Sequence, residues 1–411
     1  MPNANEPVAI VTPWFDDGAN GSALLSSQLV HELFALDQRV DVLATCARSF
    51  HDDWSKNYYA EGTTRLEHYT LRRFAVRARD RETFDRANAF LTSQTPDFLK
   101  AHPSCIPEWV REAFGRENIQ SPALLQYLAD WGRTYRAVIF TPYLYGPVLD
   151  GLRLVAERAF LQPCLHDEGY AYLPQTAELF ARARGLLFNS RAEYDLACRL
   201  YGPAVPRKGA IVGHWVQPPQ LSGQADRAVP RGRYLLYIGR AGTGKNVEML
   251  LKAFGDYRRY NPSSHLQLVA AGEGCDALQG APGVRLLSRV SETRKSALLR
   301  SCTALVQPSI NESFSRSVME AWSYGKPVAV NAACEATSAA VKACGGGWAA
   351  STSAEWAAVF TAIERAPAQQ LRERGELGRA HYARYGTPGH ALQRYRDVLG
   401  LERALPAAAH R

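Results

Sequence analysis

The sequence of 411 residues contains no apolar run approaching the roughly 20 residues that a membrane-spanning helix requires. Its opening, Met1 to Glu6, is polar and passes directly into the apolar run Val8–Thr12, so nothing there resembles a secretory signal. The eight cysteines (46, 105, 164, 198, 275, 302, 334 and 344) lie far apart and form no C-x-x-C pair. Such scatter fits reduced thiols better than disulfides or a zinc site. There is no basic tail, no zinc-finger spacing and no basic-aromatic motif of the RNA-recognition kind, which argues against nucleic acid as a partner. The expected location is therefore the cytoplasm. The net charge of +8 suits phosphate-bearing ligands, and it is compatible with peripheral association on the inner face of a membrane. The densest basic stretch, Arg72, Arg73, Arg77, Arg79 and Arg81, reads as a solvated helix face before it reads as a dedicated anion site.

The chain is too long for one hydrophobic core, and two domains of roughly 200 residues are the natural division. Short apolar runs alternate with amphipathic stretches of helical period, the rhythm of βα units and a parallel sheet. In the first half the expected strands are Val8–Thr12, Val40–Ala44, Ala137–Thr141, Leu161–Leu165, Gly185–Asn189 and Ala210–Gly213, with a helix beginning near Gly21. Residues 49–130 break the rhythm and read as a mostly helical elaboration. The stretch Gln217 to Gly232 has linker composition, and the boundary is placed there. Beyond it the expected elements are a strand at Tyr234–Ile238, a helix at Val247–Tyr260 and strands at Leu266–Ala271 and Val284–Leu287. A helix at Ser291–Ser301, a strand at Ala304–Gln307, a helix at Phe314–Tyr324 and a strand at Pro327–Asn331 follow, and the tail from Pro367 reads as helical. The fold class is α/β, with two Rossmann-like, doubly wound domains.

Four features of the second half fall on successive strand ends. The segment Tyr237 to Asn246 follows a strand and opens a helix. Its glycines permit close backbone approach to a ligand, and Arg240 and Lys245 supply two cations of the kind a departing diphosphate requires. The turn Gly272-Glu273-Gly274 ends the next strand, at the carboxyl edge where nucleotides bind in parallel sheets. Val290 follows the third strand. The fourth feature is a strand that runs into a loop holding Glu312 and then into a helix whose first N–H groups, around Phe314 to Arg316, suit a phosphate. Glu320 lies inside that helix, and seven residues separate it from Glu312. Each feature alone is weak, since a Gly turn is often only a turn and a Glu near a helix start is often only a cap. Their order along one sheet edge points to a nucleoside-diphosphate site.

These residues (Gly239-Arg240, Lys245, Gly272-Glu273-Gly274, Glu312-x7-Glu320 and Gly325 to Val328) resemble the donor-binding domain of the large retaining glycosyltransferase family that includes sucrose synthase-like enzymes and bacterial mannosyltransferases. The resemblance implies the GT-B architecture, with two Rossmann-like domains facing across a cleft. Residues 1–217 would bind the acceptor, residues 230–384 would bind the nucleotide-sugar donor, and the segment 385–411 would pack back on the first domain. It implies a retaining, metal-independent hexosyltransferase without a cofactor and without a covalent catalyst, in polysaccharide or glycolipid assembly. Arg240 and Lys245 would bind the diphosphate. Glu312 would contact the donor sugar, as would His166, which sits after a strand in the first half. The amides of Ser313, Phe314, Ser315 and Arg316 would hold phosphate and sugar. Glu320 would bind the ribose hydroxyls, backbone near Val290 the base, and Gly239, Gly272 and Glu273 complete the donor set. On the acceptor side, Gly18, Asn20 and Gly21 occupy the place of the family's glycine-rich loop. Glycans, lipid-linked sugars and small molecules all fit as acceptors. Where many relatives have glycine this chain has Ser313 and Ser315; a backbone contact survives that change if φ stays negative, and the fit around the donor sugar would differ.

Two other classes compete. Gly239 to Lys245 matches the P-loop pattern G-x-x-x-x-G-K, but Asn246 stands where a Ser or Thr would bind magnesium. A non-catalytic nucleotide-sugar-binding protein of the same fold is the other alternative, and the intact charged set argues against it. Asp167 and Glu168 read as capping or surface groups before general acid/base groups. Tyr143, Tyr145, Tyr170 and Tyr172 read as an acceptor pocket or as simple packing at strand ends.

Overall fold

The structure, a computed structural model, describes residues 6–15, 21–102, 104–216 and 229–401. It divides into two compact units, Met1–Val212 with Leu392–Arg411, and Gly213–Ala391. The first division falls before residue 217 because His214 to Val216 bond into the second unit. Arg316 donates to the Trp215 carbonyl at 3.1 Å, and the Val216 N–H donates to the Gly386 carbonyl at 3.0 Å. The same Gly386 bond and that from Tyr382 to Val216 keep residues up to Ala391 in the second unit, so the chain returns to the first at Leu392 rather than 385.

The first unit is built on an eight-stranded sheet. Its strands are β1 (Val8–Thr12), β2 (Val40–Thr45), β3 (Gly62–Arg65), β4 (Thr70–Phe74), β5 (Ala137–Phe140), β6 (Ala159–Leu161), β7 (Gly185–Phe188) and β8 (Gly209–Ile211). They lie in the order β3-β4-β2-β1-β5-β6-β7-β8, and all pairs are parallel except β3 with β4. β1 is fully buried along its length, as a central strand covered on both faces must be. β6 ends at Leu161 instead of running to Leu165, because Pro163 has no N–H to donate and Cys164 turns into the left-handed region at φ 56°. The elaboration at 49–130 holds helices Arg81–Ser93, Pro96–Ala101, Glu108–Arg116 and Pro122–Trp131, and it also contributes β3 and β4 to the sheet. Those two strands carry no apolar run: β3 is exposed throughout, and in β4 only Leu71 is buried.

The basic stretch is not a helix face. Arg72 and Arg73 stand on β4, where Arg72 pairs with Asp41 at 3.2 Å and Arg73 lies 3.7 Å over the Tyr59 ring. Arg77 and Arg79 donate to the carbonyls of Arg116 and Glu117, and Arg81 pairs with Asp85.

The second unit has a six-stranded, all-parallel sheet of β9 (Tyr234–Ile238), β10 (Gln267–Ala271), β11 (Val284–Leu287), β12 (Ala304–Gln307), β13 (Val328–Asn331) and β14 (Gly347–Ala350), in the order β11-β10-β9-β12-β13-β14. Successive side chains enter different cores. Leu235, Tyr237, Leu268, Ala270 and Val306 join Phe254, Trp356 and Phe360 on one face. Tyr234, Leu236, Val269 and Leu305 join Leu298, Val318 and Trp322 on the other. Helices on both faces explain why these strands read as continuous apolar runs. The layers fit without slack at helix Ala368–Tyr385, where Gly378 lies against the Trp322 indole, itself hydrogen-bonded to the Gly346 carbonyl at 3.1 Å. No described helix is long and apolar enough to cross a membrane.

A methyl group at Gly378 would overlap the Trp322 ring. Gly378→Ala is expected to destabilise the second unit by about 1–3 kcal/mol through overpacking. Denaturant unfolding checks this, and an unchanged midpoint would contradict the packing described.

Candidate nucleotide-sugar site

Register decides which loops meet. Ile238 of β9 pairs with Ala271 of β10, and Ala271 pairs with Leu287 of β11, so the three strands end together. Because the sheet is parallel, Gly239–Asn246, Gly272–Gly274, Ser288–Ser291 and the loop after β12 all leave from one carboxyl edge. They are tied to one another through backbone. Gly239 N–H donates to the Ala271 carbonyl at 3.0 Å, Ala241 N–H to Glu273 at 2.8 Å and Gly272 N–H to Leu287 at 3.1 Å. Ile310 N–H donates to the Gly244 carbonyl at 3.2 Å, which joins the first loop to the fourth. Gly272 has φ 149°, and a side chain there would overlap the Gly239 carbonyl, so this glycine serves the packing of two loops. Gly242 and Gly244 face open space.

The two charged pairs at this edge are close. Lys245 Nζ lies 2.6 Å from Glu312 Oε1, with both side chains largely shielded. Lys245 sits in a short 3-10 turn, and Asn246, at φ 53°, leads into helix Val247–Tyr260. Arg240 is exposed at the loop's start, and its carbonyl accepts from the buried Tyr237 hydroxyl at 2.8 Å. Glu320, inside helix Arg316–Ser323, receives Lys295 Nζ at 3.1 Å on Oε1, with Arg316 at 3.9 Å from the same oxygen. Lys295 also meets Glu292 at 2.7 Å. Burial alone would depress the Lys295 ammonium, but the Glu320 and Glu292 charges outweigh it and leave its pKa raised.

Helix Arg316–Ser323 begins on an unusual residue. Ser315 has φ 65° and ψ 91°, so the condition of a negative φ is not met at this position. The chain holds the glycine-like conformation with a side chain in place, and the hydroxyl lies 3.4 Å from that of Ser317. Gln307 Nε2 donates to Ser317 at 2.7 Å, and Ser309 donates to Gln307 at 3.2 Å, so a buried polar network braces the turn. Ser313 shows no such departure. Phe314 is buried against His214 at 5.2 Å. His214 accepts from the Trp215 N–H at Nδ1, and burial together with Arg316 pushes its pKa well below 6.5, so the ring is neutral. Val290 is half-buried in the loop after β11, and Glu273 is exposed at the tip of its turn.

In the first unit His166 follows β6, 3.5 Å from Glu168, which accepts from Tyr143 at 3.1 Å. Asp167 pairs with Lys100 at 2.8 Å and accepts from Tyr172. Tyr143 and Tyr145 are buried, Tyr145 against Trp14 at 4.6 Å, so packing accounts for them. Gly21 opens helix Gly21–Ala35, whereas Gly18 and Asn20 lie outside the described residues. Beneath His166 sits Glu193, which no sequence signal marked. Its carboxyl accepts from Leu165 N–H at 2.6 Å and Asn189 N–H at 2.5 Å. Burial raises its pKa to about 7, against the pull of those two donors and of His166. Lys295 and His214 carry no such signal either, each being an ordinary member of a helix or loop until the chain folds.

A parallel sheet covered by helices on both faces, with its charged loops gathered at the carboxyl edge, defines a Rossmann-like domain, the class whose ligands bind at that edge. Residues 224–382 match the profile of the family described as glycosyl transferases group 1, and this second unit is a domain of that family. The match covers Gly239–Asn246, so the segment that resembles a P-loop lies inside the matched region. Over nearly its whole length the chain has the GT-B fold. Sucrose-phosphate synthase from Thermosynechococcus elongatus superposes with TM-score 0.67 at 16% identity, covering 97% of this chain and 100% of that one. α,α-Trehalose 6-phosphate synthase from Burkholderia multivorans gives 0.68 at 9% identity, covering 96% and 98%. HepE of Anabaena, in complex with UDP and glucose, gives 0.65 at 13% identity, covering 96% and 99%. No curated protein matches the sequence.

Ser315→Gly is expected to leave thermal stability equal or higher, since it relieves a strain of about 1–3 kcal/mol at a positive φ, whereas Ser315→Val should lower it. A lower melting temperature for the glycine variant would contradict the strain. Between about pH 4.5 and 7 the folded chain retains a proton on Glu193 that the unfolded chain releases. The stability this group contributes is therefore full below about 4.5 and is lost as pH rises toward 7. Glu193→Gln should flatten that part of the pH–stability curve, and an unchanged slope would count against the buried acid.

Proposed function

We propose that this chain is a retaining, metal-independent glycosyltransferase that moves a sugar from a UDP-sugar to a hydroxyl acceptor. The observation that carries the reading is the alignment of Lys245–Glu312 and Lys295–Glu320 along one carboxyl edge, beside the loop that bears Arg240. The family of the second unit supports glycosyl transfer, and the UDP in the HepE complex supports the choice of nucleotide.

In this reading the diphosphate lies over the open backbone of Gly242 and Gly244, with Arg240 and Lys245 as its counter-charges. Two fixed cations stabilise the developing charge on the leaving diphosphate where other enzymes employ a metal. Glu312 shares Lys245 with the phosphate and directs its second oxygen to donor-sugar hydroxyls. The N–H groups at Ser313 to Arg316 meet phosphate and sugar, Glu320 accepts from the ribose hydroxyls, and backbone near Val290, Gly239, Gly272 and Glu273 completes the donor set. The second unit alone carries this assignment. A glycan, a lipid-linked sugar or a small molecule serves as acceptor, in polysaccharide or glycolipid assembly, with the basic surface suited to an anionic one.

Thermal shift with UDP, GDP, ADP, TDP and ATP is expected to show the largest stabilisation by UDP without magnesium. Stabilisation only by ATP with magnesium would overturn the reading. Arg240→Ala and Lys245→Ala should each reduce transfer by at least about a hundredfold with the fold retained, the scale of one lost transition-state donor. Full activity in either variant would remove that cation from the mechanism.

A further inference from the structure

Lys295 belongs to none of the features that define the donor site, yet it is the nearest cation to Glu320. It stands in the first turn of helix Glu292–Ser301, the crossover that leads from β11 to β12. That helix has a polar start, with Ser291 capping the Arg294 N–H at 3.3 Å, and it is anchored inward by the buried Leu298 and Leu299. Its register therefore aims position 295 at helix Arg316–Ser323. The ammonium reaches across to Glu320 Oε1 at 3.1 Å, and its side chain is only 15% exposed against 11% for Glu320.

We infer that Lys295 is a positioning residue for the nucleotide ribose: it fixes the Glu320 carboxylate through Oε1 and leaves Oε2 to accept from the ribose hydroxyls. The inference rests on the ribose assignment of Glu320 made above. Three observations support it. Both cations that approach Glu320, Lys295 at 3.1 Å and Arg316 at 3.9 Å, do so at Oε1, and no described residue donates to Oε2. Lys295 is itself held from the other side by Glu292 at 2.7 Å, so it cannot swing away without breaking two ion pairs. Arg316, which would be the alternative anchor, is committed to the Trp215 carbonyl at 3.1 Å and to His214 at 3.3 Å. A glutamate has three side-chain torsions, and a carboxylate held at one oxygen offers the other in a fixed direction to a pair of hydroxyls.

The test compares the affinity of the full chain for UDP and for 2′,3′-dideoxy-UDP by calorimetry. The native protein is expected to prefer UDP by about tenfold or more, the range for hydrogen bonds to a charged acceptor. Glu320→Ala should erase that preference. Lys295→Met should reduce it to within about threefold of unity while the affinity for the dideoxy nucleotide stays the same, and Lys295→Arg should restore most of it. Lys295→Gln, which is one atom shorter but keeps a neutral donor, provides the same comparison if the methionine variant does not fold, with at least a threefold loss of preference expected. If Lys295→Met or Lys295→Gln weakens both nucleotides equally, or leaves the preference intact, Lys295 is only a strut between two helices and the inference fails. If the native protein shows no preference, or Glu320→Ala keeps it, the ribose assignment of Glu320 itself is what fails.

Discussion

In a sheet whose strands all run the same way, every strand ends on the same edge, and each crossover helix carries the chain back to begin again. The second unit obeys this constraint strictly, and the rest of its site depends on it. Four loops that are far apart in sequence leave β9, β10, β11 and β12 side by side, and the register sets them level to within a residue. Backbone hydrogen bonds then tie loop to loop, so the cations and acids they bear are held on a common frame and not on independent tethers.

On that frame the charges come in partnered sets. Lys245 and Glu312 reach each other from different crossovers, as do Lys295 and Glu320. Opposite charges half-removed from water satisfy one another while no ligand is bound, and each keeps unused hydrogen-bonding capacity: an ammonium has three donors and a carboxylate two oxygens. A diphosphate or a sugar hydroxyl can therefore join these pairs without leaving any buried charge alone, which would be far more costly than sharing it.

Strain and burial mark the same edges. Ser315 holds a positive φ at the start of the helix that carries Glu320, braced by Ser317, Gln307 and Ser309. In the first unit Glu193 stays protonated to about pH 7 because it is enclosed beneath the loop after β6. Tyr395, on the segment that returns to this unit, lies against the same group. Both features are conformational or environmental, and neither shows in the residue types alone.

The apolar runs of β9, β10, β11, β12 and β13, the helix after Asn246, and the spacing of Glu312 and Glu320 were legible because each is a local pattern of period or order along the chain. β3 and β4 were not legible, since an exposed edge strand buries almost nothing and so carries no apolar signature. For the same reason the arginines from 72 to 81 looked like a helix face, although pairing with β2 makes the first two of them strand residues. By itself the sequence determined that the chain forms βα units in two halves and which charged residues stand at strand ends. Only the tertiary structure decided which acid meets which cation, that Gly272 serves loop packing, that Ser315 takes a left-handed φ, and that Lys295 faces Glu320. Those facts depend on register and on the angle between elements, and both are set by the fit of whole layers against each other.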